Sequence, residues 1–157
     1  MSWQKIRKQL RDLWPKRVSN DLDVHIARYR KSGVWDDLGR VTFVLNKEEI
    51  YILSDSEDWD RCWQLFDMGR LYVNLDSIAC AESDKLGYYD VDRFYKLTNF
   101  YLNELNVSDA FESNILLFQI YAILDRRIGK RTLKKNEELI KSNAILRKFY
   151  DIRAVSI

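Results

Sequence analysis

Apolar residues recur every three to four positions at Trp3, Ile6, Leu10, Leu13 and Trp14, which predicts that the chain opens with an amphipathic helix. Ser2 stands where a cap belongs and Pro15 where a helix stops. Lys5, Arg7, Lys8 and Arg11 fall mostly off the apolar stripe. The helix therefore reads either as core-packed with a wet basic face or as one lying in a membrane interface. The period then changes to two. Val24 to Arg30, Arg40 to Asn46 and Glu49 to Leu53 are rich in β-branched and aromatic residues, and Gly33, Gly39 and Asn46-Lys47 punctuate them, which predicts an antiparallel meander. Val24, Ile26, Arg28 and Arg30 share one face of the first strand, with His25, Ala27 and Tyr29 on the other. In the second, Val41, Phe43 and Leu45 are expected to face helices.

Helical spacing dominates from there on. Ser54 and Glu57 form a capping box, so the third strand is expected to hand over directly to a helix with Trp59, Cys62, Trp63 and Phe66 on one side and an end at Gly69. Its first turn would hold Asp55, Glu57, Asp58 and Asp60, where the helix dipole favours acids. Leu71, Leu75, Ile78, Ala79 and Leu86 keep the helical period, although "YVNL" alone also suits a strand. Asp90 is the expected cap of a helix with Phe94, Leu97, Tyr101, Leu102 and Leu105 inside, and Ser108 that of a single turn over Val107 to Glu112. "SNILLFQIYAI" from Ser113 is echoed by "SNAILRKFYDI" from Ser142, with Asn114/Asn143, Leu117/Leu146, Tyr121/Tyr150 and Ile123/Ile152 identical. Two stacked helices with the same cap and comparable buried faces follow from that echo, unless the similarity is chance. The predicted architecture is one α+β domain over residues 1–157: a helix and a three-stranded antiparallel sheet in 1–54, then a helical part, 55–157, packed on the sheet.

Behind the apolar stripe Leu117, Ile120, Tyr121, Leu124 and Ile128 comes a dense basic run: Arg126, Arg127, Lys130, Arg131, Lys134 and Lys135. Cations are favoured at a helix C-terminus, each by about 0.3–1 kcal/mol at the surface, but six exceed what one dipole needs. Asp125 is the nearest acid, and Gly129 either breaks the helix or sits within it. The run reads as internally paired and solvated surface, as a contact for a protein partner, or as a grip on nucleic acid.

Composition narrows the choice. The chain of 157 residues is 46% hydrophobic and 32% charged, too apolar for a disordered chain, and its longest purely apolar stretch, Ile115 to Phe118, is far short of the ~20 residues that span a bilayer. No signal peptide is recognisable at the start, and Cys62 and Cys80 are the only cysteines, so cytoplasmic residence is expected. Net charge is +2, but residues 1–20 carry +5, residues 21–60 −5, residues 61–112 −4 and residues 113–157 +6. Such a chain either folds its basic ends onto its acidic middle or presents two surfaces of opposite sign. No motif of catalytic specificity accompanies these charges. His25 is the only histidine and reads as a residue of a partly exposed sheet face, no cofactor or metal is expected, and no glycine-rich loop cradles phosphate. The least improbable enzyme is a metal-dependent nuclease using Asp55, Asp58 or Asp60 with Arg28 or Arg30.

"SWQKIRKQL", "ARYR", "LGRVTFVLNKEEIYILSDSE", "LNVSDAFESNILLFQIYAILDRRIGKRTL" and "LRKFYDIRA" together resemble an uncharacterised family of small bacterial proteins named for a Shigella open reading frame. The most specific block is Leu124 to Leu133, of the form LDRRxGKRxL. Where that family has proline after Asn, Ile115 and Ala144 stand here. The resemblance carries no activity; by association with proteins encoded beside bacterial toxin loci it implies an immunity-like or accessory protein. The expected function is non-catalytic protein binding. Its site would be Arg126, Arg127, Lys130, Arg131 and Lys134 together with Asp55, Asp58 and Asp60, and five tryptophans and nine tyrosines are available as anchors. The alternative is a nucleic-acid-binding protein that uses run 126–135 and the first helix.

Overall fold

The computed structural model describes residues 2–28, 39–55, 87, 89 and 91–155. Helix α1 (Trp3–Asp12) takes its first hydrogen bonds on the Ser2 carbonyl while the Ser2 hydroxyl caps nothing. Its apolar face is spent inside the molecule. Ile6 and Leu10 are buried, and Trp3 packs edge-on against Phe94 at 5.5 Å and Tyr95 at 5.6 Å. The core-packed reading therefore holds over the interfacial one. Helix α1 stops at Asp12, and Pro15 is the N-cap of a second helix, α2 (Lys16–Asp21), whose single buried residue, Val18, left no periodic signal.

Three strands follow: β1 (Leu22–Arg28), β2 (Gly39–Leu45) and β3 (Glu48–Asp55), antiparallel in the order β1-β2-β3. Val24 pairs with Phe43 and Ile26 with Val41, so the inward residues of β1 and β2 lie opposite one another. Asn46 and Lys47, both at positive φ (50° and 71°), make the two-residue turn into β3. The central strand exceeds the expected alternation, since Thr42 and Val44 are buried as well as Val41 and Phe43. One expectation fails here. β3 runs through Ser54, opposite Val41, to Asp55, opposite Arg40, so Ser54 caps no helix and Asp55 lies in a strand rather than in a helical first turn. The predicted helices between Asp55 and Gly87, with Asp58, Asp60, Cys62 and Cys80, lie outside the described residues, as do Arg30, Tyr29 and Asp90.

The C-terminal half comprises α3 (Val91–Asn103), a 3-10 turn (Val107–Glu112), α4 (Leu116–Leu124), α5 (Lys130–Lys135), α6 (Glu137–Ser142) and α7 (Ala144–Ala154). The 3-10 turn is capped by the Asn106 side chain, which accepts from the Ser108 N–H; Ser108 itself is not the cap. Helix α4 is buried on every side, not along one stripe, as befits a helix that is apolar all round. Phe118 stacks on Phe100 at 6.0 Å, and the Tyr121 hydroxyl bonds Thr98 at 2.7 Å. Helix α7 packs against α4 and fastens the helical half to the sheet through Phe149, which meets Phe43 at 4.7 Å and Tyr51 at 6.2 Å. This is the predicted α+β arrangement.

The sequence echo yields the stacked pair but not the shared cap. Asn143 accepts from the Ile145 and Leu146 N–H groups at 2.9 and 3.3 Å, whereas Asn114 sits at φ 57° outside α4, whose N-cap is Ile115. The Tyr89 hydroxyl, 3.0 Å away, takes the Leu117 N–H instead. Nor are the faces comparable, because Tyr121 is buried and Tyr150 is exposed. Among the described residues no helix is long and apolar enough to cross a membrane.

Candidate interaction surface

Three helices end at the same corner of the fold. The Arg126 N–H donates to the Leu13 carbonyl at the end of α1 (2.7 Å), so the turn after α4 abuts α1. From the last turn of α7, the buried Arg153 guanidinium reaches into that turn, donating to the carbonyls of Ile123 (2.6 Å), Asp125 (2.8 Å) and Ile128. Each helix C-terminus carries about −0.5 of an elementary charge. The corner is thus built to attract cations, and Arg153 is the one drawn inside. Burial lowers its pKa, and the nearby Asp125 pushes it back up.

Asp125 organises the turn from the other side. Fully buried, it accepts from the Tyr101 hydroxyl (2.9 Å), the Arg127 N–H (2.9 Å) and the Arg127 guanidinium, whose Nη2 lies at 2.6 Å. The pair raises the Arg127 pKa through that hydrogen bond. Burial raises the pKa of Tyr101, with the Asp125 charge adding to it, and keeps the phenol a donor. Residue 125 is extended (ψ 119°), which ends α4, and Gly129 becomes the N-cap of α5. The helix stops before Gly129, which starts the next one, so the basic run lies across a turn and a second short helix rather than at one helix end.

Of the predicted basic residues, Arg127 is the one ion-paired among the described residues, with Asp125. Arg126, Lys130, Arg131, Lys134 and Lys135 are all exposed, since α5 buries Leu133 alone. Arg126, Lys130 and Arg131 make no ion pair among the described residues, while Lys134 neighbours Glu137, itself bridged to Lys141 at 2.6 Å. Exposed Lys16 and Arg17 join the corner from α2, with Arg17 3.5 Å from the Val155 carbonyl. The two basic ends of the chain therefore meet each other here. Of the acidic residues proposed to share the site, Asp55 is at the end of β3, and Asp58 and Asp60 lie outside the described residues.

Among the described residues, the N-terminal basic block meets the acidic middle at Asp23. Asp23 on β1 takes a bidentate bond from Arg7, through Nε at 2.7 Å and Nη2, and has Arg11 at 3.8 Å and the exposed His25 at 3.8 Å. Burial alone would raise the Asp23 carboxyl; the Arg7 bonds, the Val24 N–H and the charges of Arg7 and Arg11 outweigh it and hold the group below the usual carboxylate range. Of the tryptophans offered as anchors, Trp14 is in the core and Trp3 packs on α3, while Trp35, Trp59 and Trp63 fall outside the described residues. Among the described residues no group of three or more His, Cys, Asp or Glu comes together.

Fold and surface together define a small α+β protein with a cationic corner where helix ends converge. The chain belongs to the SF0329 protein family, whose model matches residues 2–154. No curated protein and no solved structure matches it.

Proposed function

We propose that the protein is a non-catalytic binding module that docks an acidic face of a partner protein on the corner formed by Arg126, Lys130, Arg131 and Lys134, with Lys16 and Arg17 beside them. One observation carries this reading: these cations stand exposed on, and on the short helix just after, a turn that Asp125, Arg127 and Arg153 tie down by hydrogen bonds. A preorganised charged surface gains more from a complementary partner than a flexible one, and it speeds selective encounter. An immunity-like or accessory role beside a bacterial toxin is the version to which the family association points.

Nucleic-acid binding is the second reading, favoured by the meeting of both basic ends at this corner. Against it stands the first helix, whose Arg7 and Arg11 are each partly engaged, by Asp23 and by the Ser19 carbonyl, so they offer a few fixed donors rather than a continuous track for a polyanion. A mobility shift across a salt series separates the two. The protein-binding reading expects no submicromolar complex with arbitrary duplex or single strands at 150 mM salt. A complex that weakens steeply with salt, with a slope set by the number of phosphates contacted, overturns it.

A further inference from the structure

We infer that the groove between α1 and α2 is a binding site for a small phosphate-type oxyanion, separate from the cationic corner. A cavity of about 250 Å³ there is lined by Gln4, Arg7, Lys8, Arg11, Asp12, Ser19 and Asn20. Three of these residues are cations and one is an acid. The space is smaller than the ~300–1,000 Å³ pockets that take drug-sized ligands, so it suits a single compact group.

The cations are prepared for a ligand. Asp23 fixes the Arg7 guanidinium through Nε and Nη2 from behind, leaving Nη1 without a hydrogen bond. Arg11 is held by one bond from Nη2 to the Ser19 carbonyl, and its Nε is buried with no hydrogen-bond partner. That Nε has no surface open to the groove, so the donors an ion can reach are Arg7 Nη1 and Arg11 Nη1, neither of which makes a hydrogen bond among the described residues. Lys8 adds an exposed ammonium one residue from Arg7, and Asn20 an amide from α2. The Ser19 hydroxyl is not a donor here, because it already donates to the Lys16 carbonyl at 3.0 Å. Tetrahedral oxygens carrying two negative charges match two guanidinium groups and an ammonium in a way that a water, which accepts at most two hydrogen bonds and brings no charge, does not.

The test is a titration of the full chain followed by amide and arginine side-chain NMR, with inorganic phosphate in one arm and a small phosphate monoester in the other. Saturable shifts confined to Gln4, Arg7, Lys8, Arg11, Ser19 and Asn20, with a dissociation constant of millimolar or tighter, are expected. Tighter binding of the monoester assigns the site to a phosphate carried on a larger molecule; equal binding assigns it to the free ion. Arg11→Gln is expected to weaken binding at least tenfold. Lys8→Gln, at an exposed position that cannot unfold the helix, is expected to weaken it about three- to tenfold. Non-saturating shifts, unchanged binding in Lys8→Gln, or shifts centred on residues 126–135 overturn the inference. None of these outcomes bears on whether the corner docks a protein.

Discussion

Replacing Arg153 with methionine keeps most of the aliphatic stem and removes the guanidinium that closes the end of α4. Three carbonyls, those of Ile123, Asp125 and Ile128, lose their donor in a region where Ile123, Asp125 and Ile128 are buried. A buried polar group left unsatisfied costs about 1–3 kcal/mol, and a bond to a charged donor is worth more than a neutral one. Water entering from the exposed side of the turn recovers part of that, so a net loss of about 3–5 kcal/mol is expected, a large share of the ~5–15 kcal/mol that domains possess. Urea unfolding of the wild type and Arg153→Met, read by linear extrapolation with the slope unchanged, measures it. Arg147→Met is the control, since exposed Arg147 makes one bond, to the Lys141 carbonyl at 2.7 Å, and should cost under about 1 kcal/mol. A loss below about 1 kcal/mol for Arg153→Met would refute the idea that this side chain locks the corner.

The depressed Asp23 carboxyl contributes stability that is fully present above its unfolded pKa near 3.9 and is lost as pH falls through its lower folded value. Thermal melts from pH 7 to 2 should therefore show Asp23→Asn less stable at pH 7 and flatter than the wild type below about pH 4; parallel curves would count against the pairing. Gly87 stands at φ 71°, and a Cβ there would run into the Tyr51 hydroxyl and Leu116, so Gly87→Ala should cost about 2 kcal/mol or more in the same unfolding assay. The Asp125→Asn and Arg127→Met variants, combined in a double-mutant cycle, should show a coupling of about 1–3 kcal/mol, and additive losses would remove Asp125 as the organiser of the turn.

How far the sequence foretold this structure depends on the range over which each signal acts. The first helix, the three strands, α3, α4 and α7 follow from apolar spacing of two or three to four residues, a local signal, whereas the short α5 and α6 were not read from it. Helix α2 was hidden because six residues with one apolar contact have no period to read. The boundary at Ser54 was misplaced because a Ser-x-x-Glu pattern is as compatible with a strand end as with a cap, and pairing with Val41 decided the matter. The basic run was visible, as was Asp125 as its nearest acid. Arg153 and Tyr89 were not, because each acts on α4 from about 28 residues away along the chain, and only the tertiary fold brings a donor to a helix end at that distance. Such long-range caps replace the local Asn cap that the echo suggested.

The central claim, that this corner exists to meet another protein, is tested most directly by quantitative affinity capture from nuclease-treated lysate of the native host. Wild type is compared with the triple variant Arg126→Glu, Lys130→Glu, Arg131→Glu, after melts show that both are folded. The account predicts one protein retained near one-to-one by the wild type and lost at least tenfold by the variant. Equal retention by both, or a wild-type chain that holds nothing once nucleic acid is removed, would contradict it.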